Sequence, residues 1–211
     1  MSDFLVFDLE TQRSAQEVGG WDQLAEMKMS VGVVYDSKDG KFHCYYENQV
    51  ESLIKHLCCG ALVIGYNHLG FDYPVLSGYR DFDQRADLLA QLQACANLDL
   101  LVDIRGRIGK RIKLESVARA TLEMGKSADG LQALEWYKEY LDGQTEKLAM
   151  IKDYCVQDVA VTRDVFLYGQ NKGHIKYLDR DKGITSVDVS WRQDETKAAV
   201  QPDAPEQLSL F

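Results

Sequence analysis

The sequence predicts an α/β domain with a mixed central β-sheet flanked by helices, on three observations. The first is the strongly apolar N-terminal stretch Phe4-Leu5-Val6-Phe7, continued by Leu9, of the kind that forms a strand covered on both faces. The second is a short run, Ala61-Leu62-Val63-Ile64-Gly65, whose length and glycine flanks favour strand over helix. The third is the order of the segments, βββαβα followed mainly by helices, which calls for a sheet between helical layers. With 211 residues, 45% hydrophobic and 27% charged, the chain is long enough for one well-cored domain.

The elements justify themselves in turn. Phe4 to Thr11 is the opening strand, followed by a polar stretch to Gly20 and a short helix expected around Trp21 to Met27. Ser30 to Asp36 and Lys41 to Glu47 flank the turn residues Ser37-Lys38-Asp39-Gly40 and read as an antiparallel hairpin. Asn48 is placed to cap a helix through Cys58, with Val50, Leu53, Ile54 and Leu57 as its buried stripe. After the Ala61 to Gly65 strand come helices near Tyr73 to Tyr79 and Arg85 to Ala96, and a strand-like Leu98 to Ile104. Ser116 to Met124 and Leu131 to Leu141 read as helices, and Thr145 to Gly169 as the longest, with Gly169 as its expected stop. Ile175 to Leu178 and Ile184 to Val189 pair as a hairpin around Asp181-Lys182-Gly183. The folded domain is expected over 1–191, and 192–211 as a flexible tail, because 192–206 has almost nothing to bury.

Composition narrows the function classes. No run of eighteen apolar residues exists and the N-terminus lacks a signal pattern, so a cytoplasmic protein with no membrane partner is expected. Five cysteines, an odd number with no C-x-x-C spacing, read as reduced thiols rather than disulfides or a zinc site. A net charge of −9 argues against a nonspecific nucleic-acid coat. It leaves room for a nucleic-acid enzyme, since two bound divalent ions would offset four of those charges.

Three places carry the chemistry. In a strand, residues i and i+2 share a face, so Asp8 and Glu10 stand together at the end of an apolar strand. Two crowded carboxylates favour protonation or a shared cation, for which a hard divalent metal with oxygen ligands is suited; two solvated acids are the plain alternative. Asp72 closes Gly65-Tyr66-Asn67-His68-Leu69-Gly70-Phe71-Asp72, between a strand and a helix, where ligands gather in α/β sheets. It reads as a third metal-directed carboxylate or as a helix cap before Pro74, and His68 as a polar loop residue. On the long helix Tyr154 and Asp158 are one turn apart, so the phenol can orient an attacking water beside a metal-directed carboxylate, or simply pack.

Taken together, Asp8-x-Glu10-Thr11, Gly65-Tyr66-Asn67-x-x-x-Phe71-Asp72 and Tyr154-x-x-x-Asp158 resemble the three exonuclease motifs of the DEDD 3′→5′ exonucleases, over residues 4 to about 170. The third motif is similar to that of the tyrosine-bearing branch (DEDDy). The histidine branch places its general base five residues before the last Asp, where this chain has Asp153. The resemblance implies a ribonuclease H-like fold, two Mg²⁺ or Mn²⁺ ions, and hydrolysis of a nucleic acid from the 3′ end to nucleoside monophosphates, read as DNA mainly because of the C-terminal pentamer weighed below. It implies that Asp8 is shared by both ions, Glu10 and Asp158 hold the one nearer the water, Asp72 holds the other, and Tyr154 orients the water. It also implies Leu9, Thr11, Asn67 and Phe71 near the terminal nucleotide, although Leu9 and Phe71 suit a core equally well. The cation run Arg105, Arg107, Lys110, Arg111 and Lys113, interleaved with Gly106 and Gly109, reads as a flexible phosphate-contacting loop or as a plain solvated one.

Two further patterns need weighing. Ala120 to Ser127 fits a loose A-x-x-x-x-G-K-S phosphate-loop pattern, but a helical stretch precedes it where a strand is required, so nucleotide hydrolysis is not expected. The terminal pentamer Gln207-Leu208-Ser209-Leu210-Phe211 resembles the motif by which bacterial replication and repair proteins dock on the DNA polymerase sliding clamp. Fifteen tail residues reach roughly 20 Å, enough to tether a nuclease near DNA. The alternatives are an exoribonuclease of the same fold and, from another class, a catalytically silent clamp-binding adaptor. An adaptor has no reason to retain mutually repelling acids.

Overall fold

A computed structural model describes residues 3–123, 131–179 and 181–191. Strand β1 (Phe4–Thr11) is central in a five-stranded sheet ordered β3-β2-β1-β4-β5. On one side it pairs antiparallel with β2 (Met29–Asp36), which pairs antiparallel with the edge strand β3 (Lys41–Tyr46). On the other side β4 (Leu62–Gly65) and β5 (Asn97–Asp99) run parallel to it. The mixed sheet therefore follows from one tight hairpin and two helical crossovers.

Both faces are covered, which explains the almost continuous apolar run in β1. Leu5, Phe7 and Leu9 enter a core built with α2 (Val50–Leu57), α3 (Asp72–Ser77) and α4 (Arg85–Gln93). Phe4 and Val6 enter the opposite core with α5 (Leu100–Ile108), α6 (Leu114–Leu122), α7 (Leu131–Leu141) and the 27-residue α8 (Glu146–Lys172). The hairpin of β6 (His174–Asp179) and β7 (Gly183–Asp188) closes that core through Ile175, Tyr177, Val189 and Trp191. No described helix is long and apolar enough to cross a membrane, and the five cysteines are free thiols.

Several expected elements differ. The stretch read as a strand over Leu98 to Ile104 is strand only to Asp99. Asp99 then caps a helix by accepting bonds from the Leu101 and Val102 amides at 3.0 and 3.2 Å. Arg105 and Arg107 consequently sit on α5 rather than in a loop. The Trp21 to Met27 helix is only a 3-10 turn over Leu24–Glu26, and Ser14 caps an unforeseen four-residue α1 (Ala15–Val18). Asn48 falls inside a 3-10 turn and caps nothing. Gly169 does not stop the long helix, which ends at Gly173 (φ +73°). Gly169 is instead the place where Trp191 crosses the helix: a Cβ there would lie 2.4 Å from the indole. That indole stacks on Phe166 and donates to Asp103 at 2.8 Å. The Gly125-Lys126-Ser127 end of the phosphate-loop pattern and the whole 192–211 tail lie outside the described residues; Ala120 is on α6.

Gly169→Ala should gain up to about 1 kcal/mol in helix propensity and lose about 1–3 kcal/mol to overpacking. A lower urea midpoint at unchanged m is the expected result.

Candidate active site

The site grows from β1 outrunning its neighbour. β4 pairs with β1 only from Phe4 to Val6 and ends at Gly65, whereas β1 continues to Thr11 against β2. Beyond Val6 the β4 side of β1 is open, and the backbone there needs another partner. Asp72, at the first turn of α3, supplies it: its Oδ1 accepts the Leu9 amide at 3.1 Å. Asp72 is 2% exposed. It therefore serves β1 and not as the isolated helix cap its position before Pro74 allowed.

Asp8 and Glu10 continue the Phe4 and Val6 face of β1, toward α8. What meets them is Cys155, Tyr154 and Asp158. The Cys155 thiol lies 3.5 Å from the Asp8 carbonyl and 3.9 Å from its Oδ2. Ligand atoms of Asp8, Glu10 and Cys155 all fall within 4.8 Å of one another. Tyr154 donates its hydroxyl to the Asp158 carboxylate. Trp136 of α7 packs edge-on against that phenol at 6.4 Å between ring centroids.

The loop between β4 and α3 is shaped by groups that the sequence reading passed over. Asp99 accepts the Asn67 and Leu69 amides at 2.9 and 3.1 Å while capping α5 with the same carboxylate. Asn67 takes φ +77°, a conformation Asn tolerates better than most residues. His68 is a loop residue, as expected, but a fully buried one: its Nε2 meets Asn97 Oδ1 at 3.1 Å and its Nδ1 lies 3.6 Å from Asp99. Burial holds its pKa below the ordinary value despite Asp99. Gly65 is required there, since a Cβ would lie 2.8 Å from the His68 ring. An Asp directly after a short apolar strand and just ahead of a helical stretch was the available signal for Asp99.

Electrostatically, the four carboxylates are crowded and uncompensated. Burial, then Asp72, Glu10 and Asp158, raises the Asp8 pKa well above the carboxylate range; burial, then Asp158 and Asp72, does the same to Glu10. Burial pushes Asp72 up to about 7, against the lowering effect of its backbone hydrogen bonds, and Asp158 to about 6, against the Tyr154 hydrogen bond. Burial and the neighbouring acids also raise the Tyr154 phenol and the Cys155 thiol. Among the described residues, no cation is one of the groups acting on the four acids. Four carboxylates that carry excess negative charge in a partly open site fit a hard divalent ion, with the Cys155 thiol close beside Asp8 and Glu10.

Of the residues expected at substrate, Leu9, Thr11 and Phe71 come together with Glu10 on one cavity of about 750 Å³. Asn67 instead contributes the turn held by Asp99. The cation run is dispersed. Arg107 is paired with Asp103 at 2.8 Å and with the Asp188 carbonyl, and Lys110 with Asp179, so both fasten α5 and its following loop to the β6–β7 hairpin. Arg105 is exposed on α5, and Arg111 lies close enough to Tyr66 to oppose the rise in its phenol pKa.

A family model described as RNase_H_2, RNase_H superfamily, matches residues 5–168. Among solved structures, the family B DNA polymerase of the hyperthermophilic archaeon Pyrobaculum calidifontis is similar at 20% identity and a TM-score of 0.55, over 82% of this chain and 26% of that one. The chain thus spans about a quarter of that polymerase. Apo exonuclease I is similar at 15% identity and a TM-score of 0.44, over 81% of this chain and 42% of that one. A product-bound structure of exonuclease I gives 14% and 0.42, over 81% and 44%. Comparison with curated protein sequences returns no match.

The raised carboxylates set a pH dependence. In EDTA the folded protein binds more protons at these acids than the unfolded chain, where Asp titrates near ~3.9, so stability falls as pH rises. The loss spans pH ~4 to about 6 for Asp158 and about 7 for Asp72. Asp72→Asn keeps the shape without the titration, and should flatten the fall in Tm between pH 4 and 7. An unchanged slope would contradict the electrostatic picture.

Proposed function

We infer, starting from the fact that the chain belongs to the RNase H superfamily, that it is a metal-dependent 3′→5′ exonuclease of the DEDD type, tyrosine branch. The observation that carries the inference is the meeting of Asp8, Glu10, Asp72 and Asp158, from three separate elements, at one site where no cation among the described residues offsets them. Two divalent ions, Mg²⁺ or Mn²⁺, bound there would activate the attacking water and offset charge on the phosphorus and the leaving 3′ oxygen. No side chain then needs to be a strong nucleophile.

Each residue has a role its environment supports. Asp8 is central among the acids and would be the carboxylate that serves both ions. Glu10 and Asp158 would help hold the ion that activates the water. Asp72, which accepts the Leu9 amide through Oδ1, would hold the second ion, through water. Burial holds the proton on Tyr154, so the phenol orients the water rather than deprotonating it. Trp136 and Asp158 fix the ring and the hydroxyl. The preference for DNA, and recruitment by a sliding clamp, rest on the pentamer Gln207 to Phe211, which is a sequence pattern outside the described residues. A domain over 1–191 with a tethering tail is the organisation that goes with it.

With Mn²⁺, 5′-labelled DNA should be shortened stepwise, and EDTA should stop it. Asp8→Ala or Asp158→Ala should lower the rate on the order of 10³-fold or more, since each loses several kcal/mol of charge stabilisation. Deleting 207–211 should leave that laddering intact and abolish binding to a bacterial sliding clamp. With 3′-labelled DNA the label should leave as a mononucleotide; a ladder of shortened strands that keep the 3′ label, or activity in Asp8→Ala, would overturn the assignment.

A further inference from the structure

A second aromatic stands beside the Glu10 cavity, and no motif pointed to it. Trp21 is 71% exposed, lines that cavity, and has its ring centroid 6.3 Å from Phe71 with the planes 57° apart. Gly19 and Gly20, at φ +95° and +138°, make the turn that delivers it. The segment is pinned on both sides. The Gln12 and Arg13 amides bond to the Lys28 and Met27 carbonyls at 2.9 and 3.2 Å, and Glu17 of α1 pairs with Lys138 of α7 at 2.7 Å. An indole 71% exposed beside Phe71 is an unused stacking surface.

Arg13 lines the same cavity, and among the described residues its guanidinium is paired with no acid. Glu17, the acid nearest in sequence, is already neutralised by Lys138, which holds its pKa down to about 2. The cavity therefore offers two aromatic surfaces and one free cation next to Glu10. At about 750 Å³ it has the size of a site for one or two nucleotides.

We propose that Trp21, Phe71 and Arg13 form a receiving platform for the unpaired 3′-terminal nucleotides of a single strand, the indole stacking on a base and the guanidinium meeting a phosphate oxygen. The proposal rests on the exonuclease reading for what lies beyond the platform. It makes single-stranded or frayed 3′ ends, rather than blunt duplex ends, the substrate class. Trp21 is a binding residue at the surface of the fold, so its replacement leaves the core intact.

The test is the anisotropy of a 5′-fluorescein oligothymidylate titrated with the full chain, with Ca²⁺ in place of Mn²⁺ to hold back hydrolysis. Trp21→Ala should raise Kd roughly 5- to 150-fold, as expected for one lost base stack, and Trp21→Phe should restore most of it. Arg13→Gln should flatten the salt dependence by about 0.7 in log–log slope, whereas Trp21→Ala leaves the slope unchanged. A blunt duplex should compete poorly. Unchanged affinity in Trp21→Ala, or a duplex that competes as well as the strand, overturns the platform. Wild type that binds the strand through Trp21 but does not hydrolyse it in Mn²⁺ overturns the exonuclease reading and leaves the platform standing.

Discussion

Repulsion among four carboxylates gathered at the end of β1 is the constraint on which the rest of the structure depends. Asp8 and Glu10 share a strand face, Asp72 arrives from α3 and Asp158 from α8, and burial raises the proton affinity of each. A fold at equilibrium with such a cluster must hold it in place from outside, because the cluster itself pushes apart. The two apolar cores do this. They clamp β1 from both faces, and α8 crosses the sheet with Ile151, Cys155, Val159 and Phe166 buried along one side.

Among the described residues the acids are held not by cations but by neutral hydrogen-bond groups and packing. Asp72 is fixed by a backbone amide, Asp158 by the Tyr154 phenol, and Asp8 is met by a weak thiol donor. A Lys or Arg in any of these places would stabilise the fold and fill the position that a divalent ion would take. The loop carrying the second motif is positioned one step further out, where Asp99 accepts four amides, two of the loop and two of α5. A single buried carboxylate thus couples the placement of Asn67 and Leu69 to the start of the next helix.

Much of this was legible in the sequence. The β1–β2–β3 hairpin arrangement, the α2 stripe and the α7 bounds followed from period and turn residues, and the three motifs pointed to five residues that the fold assembles. What failed did so for identifiable reasons. Leu98 to Ile104 was apolar enough for a strand, and only the capping bonds of Asp99 turn it into a helix after three residues. Gly169 carried the ordinary signal of a helix end, but its glycine answers to Trp191 arriving from 22 residues away, a contact no local pattern contains. Arg107 and Lys110 read as free cations because the acids that pair with them, Asp103 one turn earlier and Asp179 on the distant hairpin, are brought into place by α5 and the tertiary fold. Trp21 had no periodic partner, and its proximity to Phe71 exists only in three dimensions.

The central claim is that the acid cluster exists to hold divalent ions. Calorimetric titration of the full chain with Mn²⁺ at pH 7, repeated in buffers of different ionisation enthalpy, tests it most directly. Acids with raised proton affinity must give up protons to take a cation, so the account predicts about two ions bound and net proton release, both lost in Asp8→Asn. Binding with no proton release, or equal binding by Asp8→Asn, would contradict it.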